Sequence, residues 1–122
     1  MWTYRQSTGE ISRDGGAAAG MGYSGFGAGK NNPALEYEPN IGPIPRGLYQ
    51  IGAPEDPDGG PHGPFVLPLT PDPANQMFGR SGFLIHGDSV LHPGTASRGC
   101  IILDDAIREQ IAESGDDQLQ VI

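Results

Sequence analysis

Residues 83–103 read FLIHGDSVLHPGTASRGCIIL and hold the chain's one cysteine together with two of its three histidines. A thiol and imidazoles in one segment suit three readings: a cysteine nucleophile served by a histidine base, a metal centre, or a small inert residue in a tight turn. In ASRGC a small polar residue, a cation and a glycine precede Cys100, which opens the apolar run CIIL. Such a placement roots the thiol on a rigid strand while keeping it near the surface. Gly99 permits a turn that aims the amides around Cys100 at one point, as an oxyanion hole requires, and Arg98 adds a positive charge that favours thiolate. His86 ends the run FLI and precedes Gly87, so its ring is expected to project from a strand end. If FLIHG and CIIL are neighbouring strands, the imidazole approaches the sulfur and acts as its base. His92, in a proline-glycine loop, is the competing base, and His62, in GGPHGP, reads as exposed. As metal ligands the candidates are His86, Asp88, His92 and Cys100; zinc accepts all of these types, but their spacing matches no familiar zinc pattern.

These side chains need strands to hold them, and the sequence supplies short ones separated by dense turns. The opening MWTYRQSTGEISRDG has the pattern of a hairpin broken at STGE and returning through Ile11. GGAAAGMGYSGFGAG, residues 15–29, reads as a twisted strand running into a loop, with close backbone approaches at its glycines. It is not a phosphate-binding loop, because GFGAGKNN lacks the glycine-lysine-hydroxyl spacing. NNPALEYEPNIG reads as surface loop, and GPIPRGLYQIG as a proline-guided turn into a strand at Leu48 to Ile51. FVLPL, residues 65–69, is extended, with Pro68 assigning it to an edge or an end. After CIIL, Asp104 or Asp105 caps one helix, whose Ile107 and Ile111 share a face and whose stop is Gly115; LQVI closes as a strand. The expectation is a mainly β domain of sandwich or barrel-like form, with one short helix near the C-terminus, spanning 1–122.

Composition narrows the partners. With 7 basic against 15 acidic residues the net charge is -8, which repels phosphate backbones and anionic lipid surfaces, so no nucleic acid and no membrane insertion are expected. No stretch approaches the roughly 18 consecutive apolar residues of a membrane span, and the N-terminus lacks the basic, apolar, small-residue order of a secretory signal, so classical export is not expected. A single cysteine leaves no internal disulfide to staple a chain that contains 20 glycines and 12 prolines, so folding falls to its hydrophobic residues.

The order IHG, a loop, then SRGC resembles the signature of L,D-transpeptidase (YkuD-like) catalytic domains, and GPIPRGLYQIG resembles the proline-glycine strand element of that family. The ordered blocks GYSG, GAGKNNPA, GPIPRGLY, MFGRSGFLIHGDS and HPGTASRGCIIL resemble more closely its effector branch, antibacterial toxins delivered by type VI secretion. This resemblance spans most of the chain. It implies a β-rich fold and a cysteine nucleophile acting on the tetrapeptide stems of bacterial peptidoglycan, as an L,D-carboxypeptidase, an exchange enzyme or both. Carried across, Cys100 is the nucleophile and His86 its base. The Gly87 carbonyl orients the histidine, and Gly99 with Cys100 supplies oxyanion donors. Arg98 departs from the broad family, which usually has histidine there, and the step from His86 to Cys100 is short, which suggests a smaller lid. Candidate substrate contacts are Tyr23, Lys30, Arg80, Ser81, Asp88, His92, Ser97 and Arg98, with Arg80 suited to a carboxylate and Asp88 to the diaminopimelate ammonium. The resemblance implies no cofactor. It further implies synthesis in the cytoplasm without a signal peptide, delivery by secretion-system components into the periplasm of target bacteria, and a cognate immunity protein. The non-enzymatic alternative is a wall-binding or effector-associated module whose cysteine is inert.

Overall fold

The computed structural model describes all residues from Met1 to Ile122. Its first two strands, β1 (Trp2–Tyr4) and β2 (Glu10–Arg13), form the expected antiparallel hairpin, with Tyr4 opposite Ile11. They are followed by β3 (Ala18–Met21), β4 (Tyr23–Ser24), β5 (Gly47–Ile51), β6 (Leu67–Pro71), β7 (Leu84–His86), β8 (Ile101–Ile102), the helix α1 (Asp105–Glu113) and β9 (Gln118–Val121). The nine strands form one sheet in the order β3-β2-β1-β9-β5-β6-β7-β8-β4. The fold is mainly β, and the sheet curls into a nearly closed barrel with the one helix near the C-terminus.

The closure comes from a single run of chain. β3 and β4 are separated only by Gly22, yet they lie at opposite ends of the strand order: β3 pairs with β2, and β4 pairs antiparallel with β8. Residues 18–24 therefore bridge both edges. The sequence pattern of this stretch follows from the crowding there. A Cβ on Gly22 would stand 1.7 Å from the Ile102 carbonyl oxygen, and one on Gly9 would stand 1.9 Å from the Gly22 oxygen. Only glycine lets the backbones approach so closely.

Inside the barrel pack Trp2, Tyr4, Ile11, Leu67, Ile85, Ile101 and Leu119, each at most 1% exposed. α1 covers one end of this core with Ile111, while Ile107 lies against Gly20. Asp104 is its N-cap, accepting a hydrogen bond from the Ile107 amide at 3.0 Å, and Gly115 beyond the helix takes φ 72°. Cap and stop both fall where the side-chain chemistry places them.

Of the two placements expected for Pro68, the edge is not found, because β6 lies between β5 and β7, but the end is: Pro68 is the second residue of β6. The proline is tolerated because β5 ends at Ile51, opposite Leu69. Gly52, one step beyond, donates to the Pro68 oxygen at 2.8 Å. The missing proline amide therefore removes one hydrogen bond at a point where the ladder is already ending.

The seam at Gly22 provides a direct test. Gly22→Ala is expected to lower unfolding stability by about 3 kcal/mol or more, through overpacking against backbone that cannot move aside. Gly15→Ala, which has open space but φ 72°, is expected to cost about 1 kcal/mol from backbone conformation alone. Urea unfolding of the two variants compares them, and equal losses would show that the seam is not tightly packed.

Candidate active site

β7 and β8 run parallel, with Ile85 opposite Ile101 and His86 opposite Ile102. Because successive residues of a strand alternate faces, Ile85 and Ile101 point into the core, while His86 and Ile102 point outward. Extending the register by one residue puts Cys100 opposite Leu84, on the same outward face as His86. Adjacent strands and a two-residue offset place the two Cα atoms about 8 Å apart, a span that a cysteine and a histidine side chain can bridge between them. His86 is only 4% exposed, because loops cover this outward face. Cys100 is half-buried.

The orientation of His86 is fixed by its neighbour. Its Nδ1 lies 2.8 Å from the Gly87 carbonyl oxygen. A carbonyl only accepts, so Nδ1 carries the proton and Nε2 is left with the lone pair, the tautomer a general base requires. Burial pulls the imidazole below the usual histidine range, with added opposition from His62 and Arg108, while the Gly87 and Asp88 oxygens push the other way. Burial likewise pushes the Cys100 thiol up, opposed by the Leu84 amide and the charge of Arg80. Both directions favour a resting pair of neutral thiol and neutral imidazole.

Two buried serines hold the turn that carries Cys100. Ser24 Oγ donates to the Gly99 oxygen at 2.8 Å and accepts from the Ile44 amide at 2.8 Å. Ser97 Oγ donates to the Cys100 oxygen at 2.6 Å and accepts from the amides of Gly25 and Gly99. The Gly99 amide thus faces a side-chain oxygen rather than open space. Gly99 itself has φ 133°, and a Cβ there would meet Arg80 and Phe83.

Arg80 is the cation beside the thiol. It is 8% exposed, and its guanidinium donates to the carbonyls of Glu36, Pro43, Gly42 and Arg98 at 2.5, 2.7, 2.9 and 3.3 Å. Its hydrogen bonds therefore go to loops rather than to a carboxylate. The Arg98 side chain is exposed. Together with Arg80, Ser81 and Phe83 it lines a notch of about 180 Å³.

Tyr23, Asp88 and Lys30 gather on the far side of the pair. The Tyr23 hydroxyl donates to Asp88 Oδ1 at 2.5 Å and accepts from the Ala96 amide, while Lys30 Nζ lies 4.5 Å from the Tyr23 ring centroid. Asp88 also receives the amides of Ser89 and Gly94, so it braces the loop between β7 and β8. His92 lies exposed in that loop and contributes only backbone hydrogen bonds. His86, Asp88, His92 and Cys100 are not gathered into a metal-ligating group.

A cleft of about 590 Å³ opens beside the pair, with Tyr23, His62, Gly87, Asp88, Ile102 and Arg108 among its walls. It reaches Gly87, next to His86, and Ile102, two residues beyond Cys100, rather than the imidazole or the sulfur itself. Three residues of this region carried no functional signal in the sequence: Ser24, Arg108 and His62. His62 is exposed, as its turn-rich surroundings suggested, but its ring centroid lies 5.0 Å from that of His86.

The site thus consists of an outward-facing histidine at the end of β7 and a cysteine just before the parallel β8, braced by buried serines and arginines. The chain belongs to the Tlde1 domain family, whose model matches residues 18–121, and this is a type VI secretion effector domain. The matched span contains every residue of the site. No curated protein and no solved structure matches the chain.

The protonation state of the pair is measurable. Alkylation of Cys100 by iodoacetamide in the folded protein is expected to rise with an inflection above about 8.5, the usual thiol value, and to fall back to it in urea. An inflection at or below pH 7 in the folded protein would instead reveal a preformed thiolate–imidazolium pair.

Proposed function

We propose that the protein is a peptidoglycan-modifying cysteine enzyme, an antibacterial effector that cleaves tetrapeptide stems between meso-diaminopimelate and D-alanine. The observation that carries this reading is the β7–β8 register, which sets His86 and Cys100 on one outward face with His86 Nδ1 committed to the Gly87 carbonyl. Membership of a type VI secretion effector domain family supports the antibacterial part. The resemblance of the IHG and SRGC elements to L,D-transpeptidases supports the substrate and the bond.

In the proposed cycle, His86 Nε2 takes the Cys100 proton as the sulfur attacks the diaminopimelate carbonyl. The tetrahedral intermediate collapses with cleavage of the C–N bond, and His86 returns the proton to the departing D-alanine amine. A thioester remains. Water attacks it with His86 again as base, releasing the tripeptide carboxylate and the thiol; an incoming D-amino acid amine attacking in place of water gives exchange. The neutral resting pair fits this scheme, since proton transfer then accompanies attack. On this reading the protein acts in the periplasm of target bacteria. Its partners are stem peptides, secretion-system components and an immunity protein.

Tetrapeptide muropeptides incubated with the purified protein, with and without a free D-amino acid, test the reading by product mass. Loss of the terminal alanine, or its exchange, is the expected result. Cys100→Ala is expected to abolish turnover, and His86→Ala to lower it by about 10²–10⁴-fold. Undiminished turnover by Cys100→Ala would end this proposal, and an unchanged muropeptide profile with the unaltered protein would favour an inert wall-binding module.

A further inference from the structure

His62 belongs to the turn-rich connection between β5 and β6, far in sequence from His86 and Cys100, yet its ring meets His86 at 5.0 Å between centroids with a tilt of 36°. This contact depends on where the connection ends, and that end is held firmly. Arg108, 2% exposed, donates to the carbonyls of Pro64 and Phe65 at 2.7 and 2.8 Å and to the Leu103 carbonyl at the start of α1. It also pairs with Asp105.

Two further features show that this end of the loop is tightly determined. Phe65 has φ 57°, a conformation unfavourable for an aromatic residue, which persists only where the surroundings impose it. The bridge between Glu55 and Val66 and the Phe65 amide bond to the Asp56 oxygen do so, together with Arg108. Gly87 completes the arrangement, since a Cβ there would stand 2.8 Å from Arg108 Nη2. One buried guanidinium therefore lies against both the residue that orients His86 and the loop that carries His62.

We propose that His62 is a positioning residue of the active site: its ring caps His86, shuts water from one side of that imidazole and limits how the ring can turn. This rests on the reading of His86 as the base. Three ionisable groups act on the His86 ring by charge: His62 from the β5–β6 connection, Arg108 from α1, and Asp88 from the residues after β7. His62 and Arg108 oppose protonation of His86, and Asp88 favours it. Without the cap, His86 takes up a proton at a higher pH, and an imidazolium cannot accept the proton of the thiol.

The test follows the His86 ring resonances by NMR through pH in the full chain, assigned by single histidine replacements, in the unaltered protein and in His62→Ala and His62→Phe. In His62→Ala the His86 midpoint is expected to rise toward about 6.5, the ordinary imidazole value. His62→Phe keeps a ring in place without a second charge and is expected to raise the midpoint by clearly less than His62→Ala does. Since His62 is exposed, both variants should retain the unfolding midpoint. A His86 midpoint that does not move in His62→Ala, or that rises equally in His62→Phe, overturns the capping role. The titration needs no substrate, so it decides this point even if muropeptide cleavage fails. Where cleavage is observed, turnover of His62→Ala is expected to fall about threefold at pH 6 and little at pH 8.

Discussion

The parallel pairing of β7 with β8 sorts side chains by the strand period of two. Phe83, Ile85, Ile101 and Leu103 go to the core, while His86, Cys100 and Ile102 go to the outer face. A slip of one residue in either strand would take Ile85 or Ile101 out of the core and turn the histidine or the cysteine inward. The hydrophobic free energy of the barrel therefore also maintains the geometry of the thiol and imidazole. Burying one such isoleucine is worth about 1.5–3 kcal/mol, so a misregistered sheet carries a large penalty before any chemistry is considered. The reactive face is covered by loops, and these must be held without a disulfide.

Two arginines provide that hold. Arg80 and Arg108 are both buried, and their guanidiniums donate mainly to main-chain carbonyls. Arginine suits this role because its planar fork offers five donors in fixed directions and stays charged when desolvated. Each reaches a glycine of the site, Arg80 at Gly99 and Arg108 at Gly87, where a side chain would collide with it. A chain of net charge -8 thus keeps two buried positive charges on either side of its histidine and cysteine.

Much of this was legible in the sequence. The first hairpin, the strands ending at His86 and beginning after Cys100, and the capped helix carry their own signals: alternation, flanking glycines and an N-terminal aspartate. Pro68 left edge and end both open, because a proline reports its missing donor but not how far the neighbouring strand extends; it falls near the end of an internal strand. Arg80 and Arg108 were beyond local reading, since a cation that serves distant carbonyls looks the same in a sequence as a solvated one. His62 was hidden for the same reason. Its neighbours GGP and GP describe a turn truthfully and say nothing of the ring waiting across the fold. The reach of Ser24 to Gly99 likewise depends on β4 meeting β8, a pairing between segments far apart in the chain.

The closing run through Gly22 has one more consequence. With β3 against β2 and β4 against β8, the sheet exposes no long row of free amides and carbonyls. The two end strands are only four and two residues long, so a strand laid alongside by a second protein would find few main-chain partners there. A binding partner would instead draw most of its contacts from the irregular segments between the strands, and several of those are the ones that shelter the histidine and the sulfur.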